Sequence, residues 1–369
     1  MTSRIAIALE TLTACMIATA AAAHPPSGLP HQSHGLGDFK LESGETIKEF
    51  SLVYVTHGTL NDTKSNAVLV LTAIGGNHHR IDHLIGPGKA LDPGRHFVIA
   101  VDAIANGLTT SPSNSKAQPG MQFPKFNIRD MVNSSHLLVT EKLGIAKLVT
   151  VIGASMGGMQ ALQFAVSFPD MTQSVVAIVP LGKTPAWTTN MLELLRQGIM
   201  TDAAWNGGNY DASAPPEKGM KLWSRMLSGG IVRTPEVLEA DFPKNNLDVI
   251  KWQEGIATTG WKRMDARDWI YQSWAYDQHN VGTTPGFGND YARALKSIKA
   301  KTLILAGEGD LLNPEANAKE AAALIPGSRY VSLRPRHPLG HLSGAPGQSP
   351  EIEVQNREIA AFLAVLGSR

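Results

Sequence analysis

The chain has a single cysteine, Cys15, among 369 residues. A disulfide framework, a thiolate metal site and a cysteine nucleophile in the body of the protein are therefore excluded. Charge of one sign is also missing. Lys and Arg number 33 against 32 Asp and Glu, for a formal net charge of +1, with no long basic run. This removes the electrostatic footprint that a nucleic acid or an acidic membrane surface would need. Internal repeats are absent, and low complexity is confined to the N-terminus. Beyond that region the composition, 43% apolar and 18% charged, is that of a folded domain large enough for one core with an insertion.

The N-terminus reads as a targeting segment. Arg4 supplies a positive start, and residues 5–23 are largely apolar, interrupted by Glu10. The run ends in Ala21-Ala22-Ala23 before His24-Pro25-Pro26. This is the pattern of a secretory signal peptide cleaved at a small-residue site, which places the mature chain in the periplasm or outside the cell, with no membrane span left. A retained anchor is the rival. So is lipid attachment at Cys15, since Leu12-Thr13-Ala14-Cys15 looks like a bacterial lipoprotein box, although the apolar run continues past it. Residues 24–45 read as a loose lead-in rich in His, Pro, Gly and Ser.

Short apolar runs then alternate with helical patterns. Residues 51–55, 67–71, 97–101, 148–152 and 175–179 read as strands, and 128–143 as a helix ended by Gly144. After Pro180 the pattern changes. The tryptophans (187, 205, 223, 252, 261, 269, 274) and five methionines fall in a stretch without a convincing strand, expected to be a helical lid over 182–295 whose aromatics pack its own core. Alternation resumes with a strand at 302–306, a helix at 313–324, a strand at 330–333 and a final helix at 349–366. The expected architecture is α/β: a mostly parallel sheet covered on both faces, formed by 46–181 and 296–369.

The chemistry concentrates where Leu148-Val149-Thr150-Val151-Ile152 runs into Gly153-Ala154-Ser155-Met156-Gly157-Gly158. G-x-S-x-G is weak evidence in a chain with 35 glycines. Between a strand and a helix it is the nucleophile elbow, with Ser155 at the tip. A serine hydroxyl needs a base, and this fold orders the partners Ser, Asp, His. Asp310 follows the strand 302–306, with Glu308 as a rival acid nearer the strand. His341 follows the strand 330–333, with His337 as a rival base. Oxyanion donors are expected at the amides of Met156 and of Ile74, in the loop after 67–71. His79 and His83 stand one helical turn apart, but no third ligand and no H-E-x-x-H order accompany them, so no metal is expected. Gly86-Pro87-Gly88-Lys89-Ala90 lacks an upstream glycine at position 83 and a Ser/Thr after the Lys, so it is not a phosphate loop. No cofactor is called for.

At these motifs the sequence resembles the homoserine O-acetyltransferase family of the α/β-hydrolase superfamily. The resemblance lies in HGTLNDTKSNAVLVL (57–71), IGPGKALDPGRHFVIAVD (85–102), FPKFNIRDMV (123–132) and VIGASMGGMQALQFAVSFPD (151–170). In the lid it lies in LLRQGIMTDAAWNGGNYD (194–211) and RMDARDWIYQSWAYD (263–277). It implies the triad Ser155, Asp310 and His341, a helical lid, acyl transfer by a ping-pong route, and a homodimer through the lid. It also implies a substrate-binding role for Arg225, after a one-residue shift. Leu342 stands where the family typically has an Asp that helps hold the amino acid acceptor, and Asp265-Ala266-Arg267 where it reads Asp-Ala-Asn. Together with an exported N-terminus beyond the reach of cytoplasmic acetyl-CoA, these departures lead us to expect water as acceptor and a small carboxylic ester as substrate. An acyl-CoA-dependent O-acyltransferase is the alternative, and a non-catalytic or metal-binding periplasmic protein a second.

Overall fold

Strand β3 (Ala67–Leu71) is buried along its whole length, which only a strand covered on both faces requires. The computed structural model describes residues 29–334, 338–345 and 349–366, and β3 lies near the middle of an eight-stranded sheet within them. The other strands are β1 (Gln32–Lys40), β2 (Thr46–His57), β4 (Phe97–Val101), β5 (Leu148–Ala154), β6 (Thr172–Ile178), β7 (Lys301–Gly307) and β8 (Arg329–Leu333). Their spatial order is β1-β2-β4-β3-β5-β6-β7-β8. The pairs β1–β2 and β2–β4 are antiparallel and all later pairs are parallel.

Alternate residues of the central strands feed two cores. Leu69, Leu71, Val151, Val175 and Ile304 belong to one face. Val68, Val70, Ile152, Val176 and Leu305 belong to the other. Helices α1 (Ile128–Leu137) and α2 (Met156–Ser167) follow β4 and β5. Asn127 starts α1 through a capping box with Asp130, which satisfies two amide donors that the first turn leaves over. The helix expected to reach 143 ends as α-helix at Leu137 and continues as a wider turn over Leu138–Lys142.

Between β6 and β7 the described chain is helical, with α3 (Ala186–Met200), α4 (Glu217–Met226), α5 (Pro235–Asp241), α6 (Asp248–Thr259), α7 (Ala266–Asp277) and α8 (Tyr291–Lys296). Strands β6 and β7 are themselves neighbours, so this whole insertion leaves and re-enters the sheet at adjacent positions. Helices α9 (Glu315–Leu324) and α10 (Ser349–Leu366) complete the chain.

One expectation is corrected. Residues 24–45 are not all a loose lead-in, because β1 pairs with β2 from Gln32–Tyr54 to Lys40–Thr46. This strand is at the sheet edge, and of its nine residues only Phe39 is buried. Its polar composition suits an edge and hides it from a search for apolar runs. The stretch 1–23 read as a targeting segment, with Cys15, lies outside the described residues. No helix among those described is long and apolar enough to cross a membrane.

Candidate active site

Ser155 sits between β5 and α2 with φ 57° and ψ −122°, a conformation that costs a non-glycine residue about 1–3 kcal/mol. The neighbouring glycines make this turn possible by their lack of a side chain. A Cβ at Gly157 would strike the carbonyl of Leu71 at the end of β3, and one at Gly153 would strike the backbone of Gly157. The turn is held by the Ser155 amide, which donates to the Ile178 carbonyl at 2.8 Å.

The acid and base come from the ends of β7 and β8. His341 lies in a short helical turn, Gly340–Gly344. Its Nε2 is 2.8 Å from Ser155 Oγ and its Nδ1 is 2.8 Å from Asp310 Oδ2. All three side chains are buried. Asp310 Oδ1 accepts from the amides of Leu312 and Asn313, both at 2.8 Å, which fixes the carboxylate and leaves Oδ2 for the imidazole. The rival Glu308 is held instead in a 2.7 Å pair with the exposed Arg334. The rival His337 lies outside the described residues.

Of the two expected oxyanion donors, Met156 is the first residue of α2, where an amide has no intrahelical acceptor and the helix dipole favours negative charge. In the loop after β3, the Gly75 amide donates to Gln272 Oε1 at 2.9 Å and the Gly76 amide to the Ala73 carbonyl at 3.0 Å. The Ile74 amide makes no hydrogen bond among the described residues. Gln160 of α2 donates to the Thr72 carbonyl at 3.0 Å and ties this loop to the nucleophile's own helix.

The lid reaches the site from above. Trp187 Nε1 and Thr188 Oγ1 on α3 donate to the Leu311 and Leu312 carbonyls, each at 2.6 Å. Met264 and Trp269 approach Gly75. Sequence reasoning missed Gln272 and Tyr276 of α7, which are fully buried beside the site. The helix buries polar Asp268, Tyr271 and Ser273 beside them as well as Trp269, Ile270 and Ala275, so no single sequence signal singled the two out. Burial pushes the Tyr276 phenol well above its ordinary range, so the hydroxyl stays protonated.

Other candidates are placed elsewhere. Arg225 lines a cavity of about 400 Å³ within the lid, together with Glu217, Lys221, Glu254 and Trp261, and none of Ser155, Asp310 and His341 lines it. His79 pairs with Asp82 at 2.7 Å and His83 with Gln355 at 3.0 Å. No group of three metal-ligating side chains occurs among the described residues.

Comparisons with known proteins place the fold. The family profile described as alpha/beta hydrolase fold matches residues 66–344. A homoserine O-acetyltransferase from Nostoc punctiforme is 32% identical over 342 residues, covering 88% of this chain and 95% of that protein. An acetylester hydrolase from Corynebacterium glutamicum superposes with a TM-score of 0.83 at 26% identity, covering 91% of this chain and 96% of its own. A homoserine O-acetyltransferase from Bacillus anthracis does so with a TM-score of 0.80 at 26% identity, covering 91% and 97%. The chain belongs to the α/β-hydrolase fold family of enzymes and, within it, to the homoserine O-acetyltransferase-like group.

Proposed function

We propose that the protein is an O-acyltransferase of the homoserine O-acetyltransferase type, working through an acyl-Ser155 intermediate with a small acyl group. The observation that carries the serine chemistry is the line Ser155 Oγ, His341 Nε2, His341 Nδ1, Asp310 Oδ2, with both contacts at 2.8 Å. In this reading Ser155 Oγ attacks the donor carbonyl while His341 takes its proton. The oxyanion is held by the Met156 and Ile74 amides. His341 then protonates the leaving group. The acceptor hydroxyl gives its proton to His341 and attacks the acyl-serine carbonyl; the acyl–Oγ bond then breaks, His341 returns the proton to Ser155 Oγ and the product ester leaves, with Asp310 stabilising the imidazolium in both halves. Support for an alcohol acceptor comes from the relatives that carry this activity in their names and match most of the chain. With acetyl-CoA as donor, thiol release should rise when homoserine is added and should vanish in Ser155→Ala. A thiol release rate indifferent to homoserine would sink the alcohol acceptor.

A second reading, ester hydrolysis, is favoured by Leu342 in the place of the family's Asp and by the likeness to an acetylester hydrolase. Export with cleavage after Ala23 belongs to this reading, since an exported enzyme does not meet cytoplasmic acetyl-CoA. Cell fractionation with N-terminal sequencing separates the two. The substrate would be a small ester, turned over as p-nitrophenyl acetate. A homodimer through the lid is part of either reading and is read by light scattering on the purified protein. Arg225 as an acceptor-binding residue is supported only by the resemblance. Its replacement by Ala should raise KM for the acceptor, and an unchanged KM removes it.

A further inference from the structure

Helix α7 is part of the inserted lid, yet two of its side chains end in the catalytic framework. Gln272 is completely buried. Its Oε1 accepts from the Gly75 amide at 2.9 Å and its Nε2 donates to the Ile104 carbonyl at 3.0 Å. It thus fastens together the loops that follow β3 and β4, and it fixes the turn in which Ile74 lies.

One helical turn on, the Tyr276 hydroxyl donates to Asn313 Oδ1 at 2.6 Å. Asn313 Nδ2 donates to the Val179 carbonyl at 2.7 Å, so the amide can face the phenol only with its oxygen, and the phenol proton is committed. The Asn313 backbone amide donates to Asp310 Oδ1 at 2.8 Å. The groups form a chain running Tyr276, Asn313, Asp310, His341 and Ser155. Packing alone does not require it, because an apolar helix face would pack as well without the desolvation cost of buried polar groups.

We propose that Gln272 and Tyr276 are positioning residues through which the docked lid helix assembles the acylation site, Gln272 by setting the Ile74–Gly75 turn and Tyr276 by setting Asn313, whose amide holds the Asp310 carboxylate. This rests on the acyl-serine reading above. Both act without touching the reacting carbonyl, so loss of either should lower the acylation rate rather than substrate binding.

The test is steady-state kinetics of the full-length protein with p-nitrophenyl acetate, with thermal unfolding measured on each variant. Tyr276→Phe removes one oxygen and Gln272→Met is nearly isosteric. Each should lower kcat about five- to tenfold, the worth of one internal hydrogen bond, with KM changed less than twofold. Asn313→Ala should cause the same fall as Tyr276→Phe, and the double variant should fall no further, because both break the same Tyr276–Asn313 link. Tyr276→Phe with Gln272→Met should instead give the product of the two losses. A kcat within twofold of the unmodified protein in both single variants overturns the inference, as does multiplicative loss in the Tyr276–Asn313 pair. Turnover that survives Ser155→Ala overturns the acyl-serine reading instead, so the two failures are distinct.

Discussion

The amide of Leu342 donates to the carbonyl of Val232 at 3.2 Å. The residue that follows the base histidine is therefore fastened to the lid, and it is only 6% exposed. In the acetyltransferases that this chain resembles, an Asp that helps hold the acceptor typically stands at this position. Leu342→Asp should shift acyl-enzyme partitioning from water towards homoserine, at some loss of stability from burying a carboxylate. The ratio of acetate to O-acetylhomoserine, formed from p-nitrophenyl acetate with homoserine present, measures this. An unchanged ratio means that position 342 does not choose the acceptor.

The two acids after β7 give opposite expectations. Asp310→Asn keeps the shape but cannot stabilise the imidazolium, and should lower kcat about 10³–10⁴-fold. Glu308 pairs with Arg334 at the surface, where such a pair is worth at most about 1 kcal/mol. Glu308→Gln should leave kcat within twofold. Equal losses in the two variants would show the acid to be misassigned.

Stability should also depend on pH through Asp268. This carboxyl is completely buried on α7, and burial, with Asp265 nearby, pushes it up to about 8. The hydrogen bonds from the Ser113 amide and hydroxyl, and the charge of Arg267, oppose that shift without cancelling it. The folded protein thus holds a proton that the unfolded chain, near about 3.9, releases. The resulting stability is complete below the unfolded value and is lost as pH rises through about 8. Asp268→Asn can keep both contacts to Ser113 without the charge, so its melting temperature should gain on the unmodified protein from pH 5 to pH 9. Parallel curves would rule this out.

At the elbow, Gly157→Ala drives a methyl group into the Leu71 carbonyl. We expect a loss of about 1–3 kcal/mol in urea unfolding. A fluorophosphonate should label Ser155 far more slowly, because the displaced turn carries the nucleophile with it. Labelling at the original rate would show that the turn yields without moving Ser155.

Much of this was legible because the features are local and apolar. Strands such as β3 and β7 announce themselves as short buried runs, and the spacing of Gly153, Ser155 and Gly157 encodes a steric requirement. Asp310 and His341 were legible as candidates because each follows such a strand, and the structure brings both into line with Ser155. What escaped was either polar at an edge or dependent on contacts far along the chain. Strand β1 buries only Phe39 and so carries no apolar pattern. Gln272 is 197 residues from the glycine whose amide it holds, and in a tryptophan-rich helix its neighbours dominate the reading. The one-residue shift used to align Arg225 could not say which way that side chain faces, and the structure puts it in the lid's own cavity.

The insertion between β6 and β7 begins and ends at adjacent strands, the arrangement in which one would expect a module to be exchanged freely between related enzymes. The contacts of Gln272 and Tyr276 forbid that freedom. A lid transplanted from a cousin would bring its own residues at these two positions, and the recipient's sheet would fold around a crippled centre. Selectivity and turnover are in this way inherited together, and new substrates must arise by altering the present lid stepwise rather than by replacing it.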